Sequence, residues 1–401
     1  MADSAPLRLC MFSNLFPPLV SGSSSFSGEL SRRLVALGHH VTVVTARVDD
    51  LPAAEEQGGV RVFRLPALRL PQLALAHNFK YLTYTFTPGN QRWLRELFAR
   101  ERFDVIHQQN HIFDTMLSSR RLARRLRLPL VLTIHTPAQH PNRFYDVVMT
   151  GLDALARQVI FKPARFVVSP DPVVAAYVRD RHGIADSPVI PYGIEVPPPR
   201  AEDIAEMRRR FAVGDGPLLL SLGHVHELRD RLDVVQAMPR VLERFPTARL
   251  LIVGEVYTQR PVARAAQLGI SDKVIFAGPL PHHLVSALFA ISALETHTFN
   301  GPYPGPGIAS MEAMSAGLPV VTMTIGPQYD FSFFKNWENV VMVPANSPPD
   351  MADALIRLLG DAPLRQRIGA AARELMAGRF SWQAVATAYV DLYRRAIAAP
   401  R

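Results

Sequence analysis

A loop of prolines and glycines, GPYPGPG at 301–307, runs straight into IASMEAMSAGLPVV. Proline and glycine hold off helix until the apolar spacing begins, so a helix N-terminus is expected just after Gly307. The small residues Gly307, Ala309 and Ser310 let a ligand approach the N–H groups of that first turn. Those groups and the helix dipole favour a phosphate beside Gly307 and Ile308. Glu312, about one turn in, can accept hydrogen bonds from both hydroxyls of a ribose. An acid there also complements the helix dipole with no ligand at all.

A second constellation is SLGHVHELRDRLDVVQAM at 221–238, read as strand, turn and helix. His224, His226, Arg229 and Arg231 crowd the turn. The planar fork of Arg229 suits a diphosphate, although a solvated basic turn has the same composition. A third is SNLFPPLVSGSSSFSGEL at 13–30, where serines around Gly22 lead into a helix and can present backbone N–H groups to an anion. His135 ends the apolar run LVLTIHT, where an imidazole can bond a sugar hydroxyl, donate to a leaving group or serve structure alone. His107 also ends a strand-like run and reads as structural. The segment 70–86 fits no clear period and gathers Phe79, Tyr81, Tyr84 and Phe86, followed by Trp93. Aromatic faces suit sugar rings or lipid tails, and they equally fill a helix core.

Several chemistries are excluded. The chain lacks the dinucleotide fingerprint GxGxxG and the zinc pattern HExxH, and its single cysteine, Cys10, rules out a thiolate cluster or an internal disulfide. No Asp-x-Asp pair is present to hold a metal-bound nucleotide sugar. No metal or resident cofactor is therefore expected.

The elements that must position these residues alternate. Strand-like runs at 7–12, 40–46, 60–65, 104–109, 130–136, 164–169 and 188–193 are separated by helical patterns at 25–37, 90–102, 112–127, 146–161 and 172–182. Gly38 suits the left-handed cap of the first helix. After IEVPPPR at 194–200, whose three prolines make a stiff link, strands recur at 217–223, 248–254, 273–278, 319–324 and 340–345. The stretch from about 350 to 398 reads as helical. This is the pattern of an α/β protein with two parallel sheets in tandem. The expected domains are 1–197 and 198–401, meeting at a cleft, with the last helix (about 381–398) packing back onto the first.

The 401 residues carry a formal charge of +9, of which residues 1–197 hold +7 (23 Lys/Arg against 16 Asp/Glu). Arg120, Arg121, Arg124, Arg125 and Arg127 form a dense cluster. Such a face attracts anionic lipid or a polyanionic substrate, or is a solvated helix face. No nucleic-acid-binding motif accompanies it. No stretch is long and apolar enough to span a bilayer, so the expectation is a cytoplasmic protein, peripheral if it meets the inner membrane surface.

Taken in order, SNLFPPLVSG, ELSRRLVALGHHVTVVT, FDVIHQQ, VLTIHT, VIPYGIEV, LLLSLGHV, ARLLIVGE, KVIFAGPL and SMEAMSAGLPVV resemble the family-4-type retaining glycosyltransferases (glycosyl transferases group 1) of the GT-B fold, over nearly the whole chain. The resemblance implies two Rossmann-like domains facing each other across a cleft, and a UDP- or GDP-sugar donor. It implies transfer with retention, the donor's own phosphate oxygen taking the acceptor proton. It places Gly22 near the donor phosphates, His135 against the transferred sugar, Arg229 at a phosphate-binding lysine position, and Glu312 as the second glutamate of an E-x7-E motif. His224 stands where an arginine normally assists phosphate, and Pro304 stands where the first motif glutamate would fall. The acceptor is expected to be a saccharide, a lipid-linked saccharide or a small molecule, held by Phe79, Tyr81 and Tyr84. Two other readings are a nucleotide-sugar epimerase and an inactive partner subunit that keeps the fold.

Overall fold

The structure is a computed structural model that describes residues 5–19, 21–71, 82–138, 143–298, 306–324 and 331–399. The chain divides into two compact units. One comprises residues 1–193 and 382–401, the other 194–381.

The first unit contains, in chain order, β1 (Arg8–Phe12), α1 (Gly22–Ala36), β2 (His40–Ala46), β3 (Ala54–Gln57), β4 (Val60–Leu65), β5 (Leu68–Arg69), β6 (Thr83–Tyr84), α2 (Pro88–Arg100), β7 (Val105–Gln109), α3 (Thr115–Leu126), β8 (Leu130–Thr133), α4 (Arg143–Ala156), β9 (Phe166–Val168) and α5 (Pro172–His182). Its main sheet has the order β3-β4-β2-β1-β7-β8-β9, parallel except for the β3–β4 pair. The central strands are covered on both faces and accordingly read as continuous apolar runs. Ser21 caps α1 by accepting from the Ser24 N–H, and Gly38 follows its end at φ +87° with its N–H on the Val35 carbonyl.

The polar edge strand β3 was not expected, because Ala-Glu-Glu-Gln has no apolar alternation. Conversely, 188–193 is not a strand. Pro188 and Pro191 cannot donate to a ladder, and the segment makes one bridge, Ser169 to Val189.

The second unit contains α6 (Ala201–Arg210), β10 (Leu218–Leu222), α7 (Leu232–Arg244), β11 (Arg249–Val253), α8 (Arg260–Gln267), β12 (Val274–Phe276), α9 (Val285–Ile291), β13 (Leu294–His297), α10 (Ile308–Ser315), β14 (Val320–Met323), β15 (Val341–Val343), α11 (Pro348–Gly360) and α12 (Ala362–Leu375). Its sheet is parallel throughout, in the order β12-β11-β10-β13-β14-β15. The central strand β13, Leu-Glu-Thr-His, escaped the apolar-run reading because it buries a glutamate and a histidine.

The last helix, α13 (Trp382–Ala398), returns to the first unit. Tyr389, Tyr393, Val385 and Leu392 join Leu9, Leu30 and Val43 in one buried cluster. Burying each such side chain stabilises by about 1.5–3 kcal/mol.

Candidate functional site

In each sheet the chain starts at the centre, builds outward one way, then returns and builds the other way. The loops that follow the two central strands flank this switch point, where open parallel sheets bind ligands. In the second unit these loops follow β10 and β13, and they carry the residues singled out above.

The loop after β10 begins at Gly223 (φ +121°) and passes against Gly254 (φ +142°). A methyl on Gly254 would fall 2.4 Å from the Gly223 carbonyl oxygen, so only glycine allows the two backbones to meet. His224 is exposed, and its Nδ1 accepts from the Glu255 N–H at 3.2 Å. Arg229 ends a short 3₁₀ turn and is half-buried. Arg231, at the N-cap of α7, is fully buried in a left-handed conformation (φ 64°).

On the opposite side, Gly307 caps α10. Having no side chain, it leaves the first-turn amides uncapped. Ile308 is exposed beside them. Glu312 sits mostly buried, with His282 Nε2 at 3.4 Å from its Oε1. Burial raises the Glu312 pKa, and His282 opposes the rise. Pro304 lies outside the described residues.

Between the two loops, on β13, lie Glu295 and His297. His297 Nδ1 is 3.8 Å from Glu295 Oε1, and both side chains are buried with Ser310 of α10. Sequence reasoning missed this pair. The signal was an acid and an imidazole two residues apart in a segment too short and too polar for an apolar-run criterion.

In the first unit, Gly22 opens α1 with nothing within 4 Å of where a methyl would project. The space beside this first turn is open, although the Ser21 hydroxyl already takes one of its amides, that of Ser24. His135 lies two residues beyond β8. Its Nε2–H donates to Gln109 Oε1 at 2.7 Å and its Nδ1 accepts from the Tyr192 hydroxyl at 2.9 Å. Burial lowers its pKa to about 3, so the ring is neutral at physiological pH and supplies no imidazolium acid.

Gln109 also bonds His107. The His107 ring is held by Thr133 at 2.8 Å and Tyr393 at 2.7 Å, and it too is lowered to about 3 by burial. Tyr84 is half-buried and pairs across β5–β6 with Leu68. Phe79 and Tyr81 lie outside the described residues. Among the described residues no group of three or more His, Cys, Asp or Glu side chains could hold a metal ion.

The glycosyl transferase 4-like domain family matches residues 21–193, and the glycosyl transferases group 1 family matches residues 203–375. The chain is similar to a D-inositol 3-phosphate glycosyltransferase of Acidothermus cellulolyticus, 29% identical and covering 100% of this chain and 93% of that one. It is also similar to a GDP-mannose-dependent alpha-(1-6)-phosphatidylinositol monomannoside mannosyltransferase of Mycobacterium tuberculosis, 27% identical over 96% of this chain and 98% of that one. In fold it resembles Anabaena HepE, solved in complex with UDP, with a TM-score of 0.69 at 15% identity over 97% of this chain and 100% of that one. Two family matches spanning most of the chain, on two open α/β units, leave one conclusion: the chain belongs to the group 1 glycosyltransferases of the GT-B fold.

Proposed function

We propose that this glycosyltransferase uses a nucleoside-diphosphate sugar, UDP- or GDP-linked, and transfers the sugar with retention. The carrying observation is the pairing of Glu312 with the uncapped N-terminus of α10 at the switch point of the second unit. Glu312 takes the ribose hydroxyls. The amides after Gly307, with Arg229 and the His224 turn opposite, take the diphosphate. Helix N-terminus and guanidinium supply the positive charge that the leaving diphosphate requires, so the protein itself stabilises the developing charge.

The bond from the sugar's anomeric carbon to the phosphate oxygen breaks, and the acceptor hydroxyl oxygen bonds that carbon on the same face. The hydroxyl proton passes to the departing phosphate oxygen. His135 enters as a neutral hydrogen-bonding group for the sugar, exchanging a bond it makes to Gln109 or Tyr192. Gly22 leaves room for an anion at the start of α1.

The first unit carries the acceptor, and the reading that fits its surface is a lipid-linked saccharide or inositol headgroup at an anionic membrane face. Helix α4 exposes Phe144, Val147, Val148, Leu152 and Leu155 within one arc, Phe144 at 73% and Val147 at 71%. Beside its C-terminal end, Arg120, Arg121, Arg124 and Arg125 of α3 line a depression of about 590 Å³ with Phe86, Gln158 and Val159. None of the four has a carboxylate within ion-pair distance among the described residues. An apolar stripe beside uncompensated arginines is the pattern of a surface that lies on anionic lipid. The two relatives named above act, by their names, on inositol phosphate and on a phosphatidylinositol mannoside.

The test is a donor screen with purified protein, UDP- and GDP-hexoses, and vesicles containing phosphatidylinositol or its glycosides. Acceptor-dependent nucleotide release is expected, with an anomeric NMR signal that matches the donor. Release independent of every acceptor, or inversion at the anomeric carbon, refutes the reading.

A further inference from the structure

Beneath the loop that follows β10 lie two ionisable side chains, both fully buried: Arg231 and, on the adjacent strand, Glu295. Arg231 adopts a left-handed backbone, which costs a non-glycine residue about 1–2 kcal/mol. That conformation brings its guanidinium under the loop. Nη1 donates to the Arg229 carbonyl at 2.9 Å, and Nη2 reaches the carbonyls of Gly223 at 3.2 Å and Leu222 at 3.5 Å.

In a trans peptide the N–H points opposite to the carbonyl of the same plane. With the Gly223 and Arg229 carbonyls turned onto the guanidinium, the His224 and Asp230 N–H groups are turned away from it. The buried arginine thus fixes which way the loop amides face.

Arg231 and Glu295 lie near enough to feel each other's charge but form no ion pair. The Arg231 Nε has no hydrogen-bond partner among the described residues, and the Glu295 carboxyl has none of ordinary geometry, with the Ser310 hydroxyl and the Leu222 backbone close by. A finished Arg–carboxylate pair would be bidentate. We propose that Arg231 and Glu295 are positioning residues for the donor diphosphate. Arg231 orients the loop and sets a positive charge beneath it, and ionisation of Glu295 cancels that charge. This rests on the donor-site reading above.

The groups around Glu295 agree with it. Burial raises Glu295 to about 8, while the Ser310 hydroxyl, Arg231 and the Leu222 backbone pull the other way. Arg231 is lowered to about 10 by burial and stays charged at neutral pH; it feels Glu295, Arg229 and Asp230. His297 is lowered well below its usual range by burial, Arg231, Arg229 and His226, so it is neutral. His226 is likewise lowered. Among these shifted groups, Glu295 is therefore the one that changes charge between about pH 7 and 9. A bound diphosphate disfavours its ionised form, so binding must draw in a proton above about pH 8.

The experiment measures GDP and UDP affinity calorimetrically at pH 7 and 9 for the wild type and for Glu295→Gln. Wild-type affinity is expected to fall about tenfold beyond any change seen in the variant. The nucleobase's own titration is common to both proteins and drops out. At pH 8.5, wild-type binding measured in buffers of different ionisation enthalpy should take up most of one proton, and at pH 7 almost none. That measurement needs no variant and stands if Glu295→Gln does not fold.

Arg231→Lys keeps the charge but cannot span three carbonyls, and is expected to bind about tenfold more weakly at pH 7. Equal pH slopes, or no proton uptake at pH 8.5, overturn the charge role. Unchanged affinity in Arg231→Lys overturns the loop-setting role. If neither nucleotide binds at any pH, the donor site itself is misassigned.

Discussion

The two units share a topology and differ in what their central strands bury. In the first, the polar groups at the strand ends form a closed network: Tyr192, His135, Gln109, His107 and Tyr393 satisfy one another, and both imidazoles are neutral. In the second, Arg231 and Glu295 are buried with polar atoms left over. A closed network fixes geometry at little electrostatic risk. An open one, lying under a helix N-terminus, carries the cost of its unpaired buried groups. The same fold thus holds a satisfied polar network in one half and a partly unsatisfied one in the other.

The largest expected effect separates the units by pH. His107 and His135 have folded pKa values of about 3, below the usual 6.5, so the unfolded chain binds more protons as pH falls. Their stabilisation is complete above about pH 6.5 and is lost as pH falls toward 3. Together they cost on the order of 5 kcal/mol by pH 4. Glu295 is raised, so its contribution has the opposite sign: it is present below about pH 4.5 and is lost as pH rises through about 8. Hydrogen exchange read by mass spectrometry should show 105–109 and 130–138 losing protection first in acid, and 218–231 with 294–298 first in mild alkali. Protection that falls equally in both units at both extremes would erase the contrast.

Next in size, Tyr393→Ala removes a buried ring of α13 and the His107 bond, at a cost of about 3–5 kcal/mol to the first unit. Tyr393→Phe removes only the hydroxyl and should cost about 1 kcal/mol. Denaturant unfolding of the two variants checks both values. Similar losses would mean that the packing is not what holds α13.

Neutralising Arg120, Arg121, Arg124 and Arg125 to glutamine should weaken sedimentation with anionic vesicles by about 1 kcal/mol per arginine near the lipid, with a smaller salt dependence. Leu152→Ser with Leu155→Ser should weaken the salt-resistant remainder. If vesicles never retain the wild type, the acceptor is soluble. The smallest effect is expected from Tyr84→Ala, which should raise the acceptor KM a few-fold and leave nucleotide affinity alone. An equal change in both would remove Tyr84 from the acceptor side.

Much of the fold and part of the candidate site were legible in the sequence, whereas this contrast was not, and the reasons are physical. Central strands such as Leu218–Leu222 are buried on both faces and so read as apolar runs, and Pro-Gly loops mark where helices such as α10 begin. Gly307, Ile308, Glu312 and Arg229 could be named because loop chemistry and helix starts are local. Glu295 could not be found this way, because an acid in a central strand makes sense only once Arg231, 64 positions earlier, is known to lie beside it. His135 was visible as a strand-end imidazole. Its binding to Gln109 and Tyr192, 26 and 57 positions away, and hence its neutrality, was not. Long-range partners set charge states, and spacing along the chain does not report them.

The central claim is that the switch point of the second unit is the nucleotide site, with Glu312 on the ribose. Its most direct test is a calorimetric titration of UDP and GDP into the wild type and into Glu312→Ala. The account predicts that one nucleotide binds the wild type and that the variant loses about 1.5–3 kcal/mol of binding, roughly 10- to 150-fold. The loss should be much smaller for inorganic pyrophosphate, which has no ribose. Equal nucleotide affinity in a folded Glu312→Ala would contradict it.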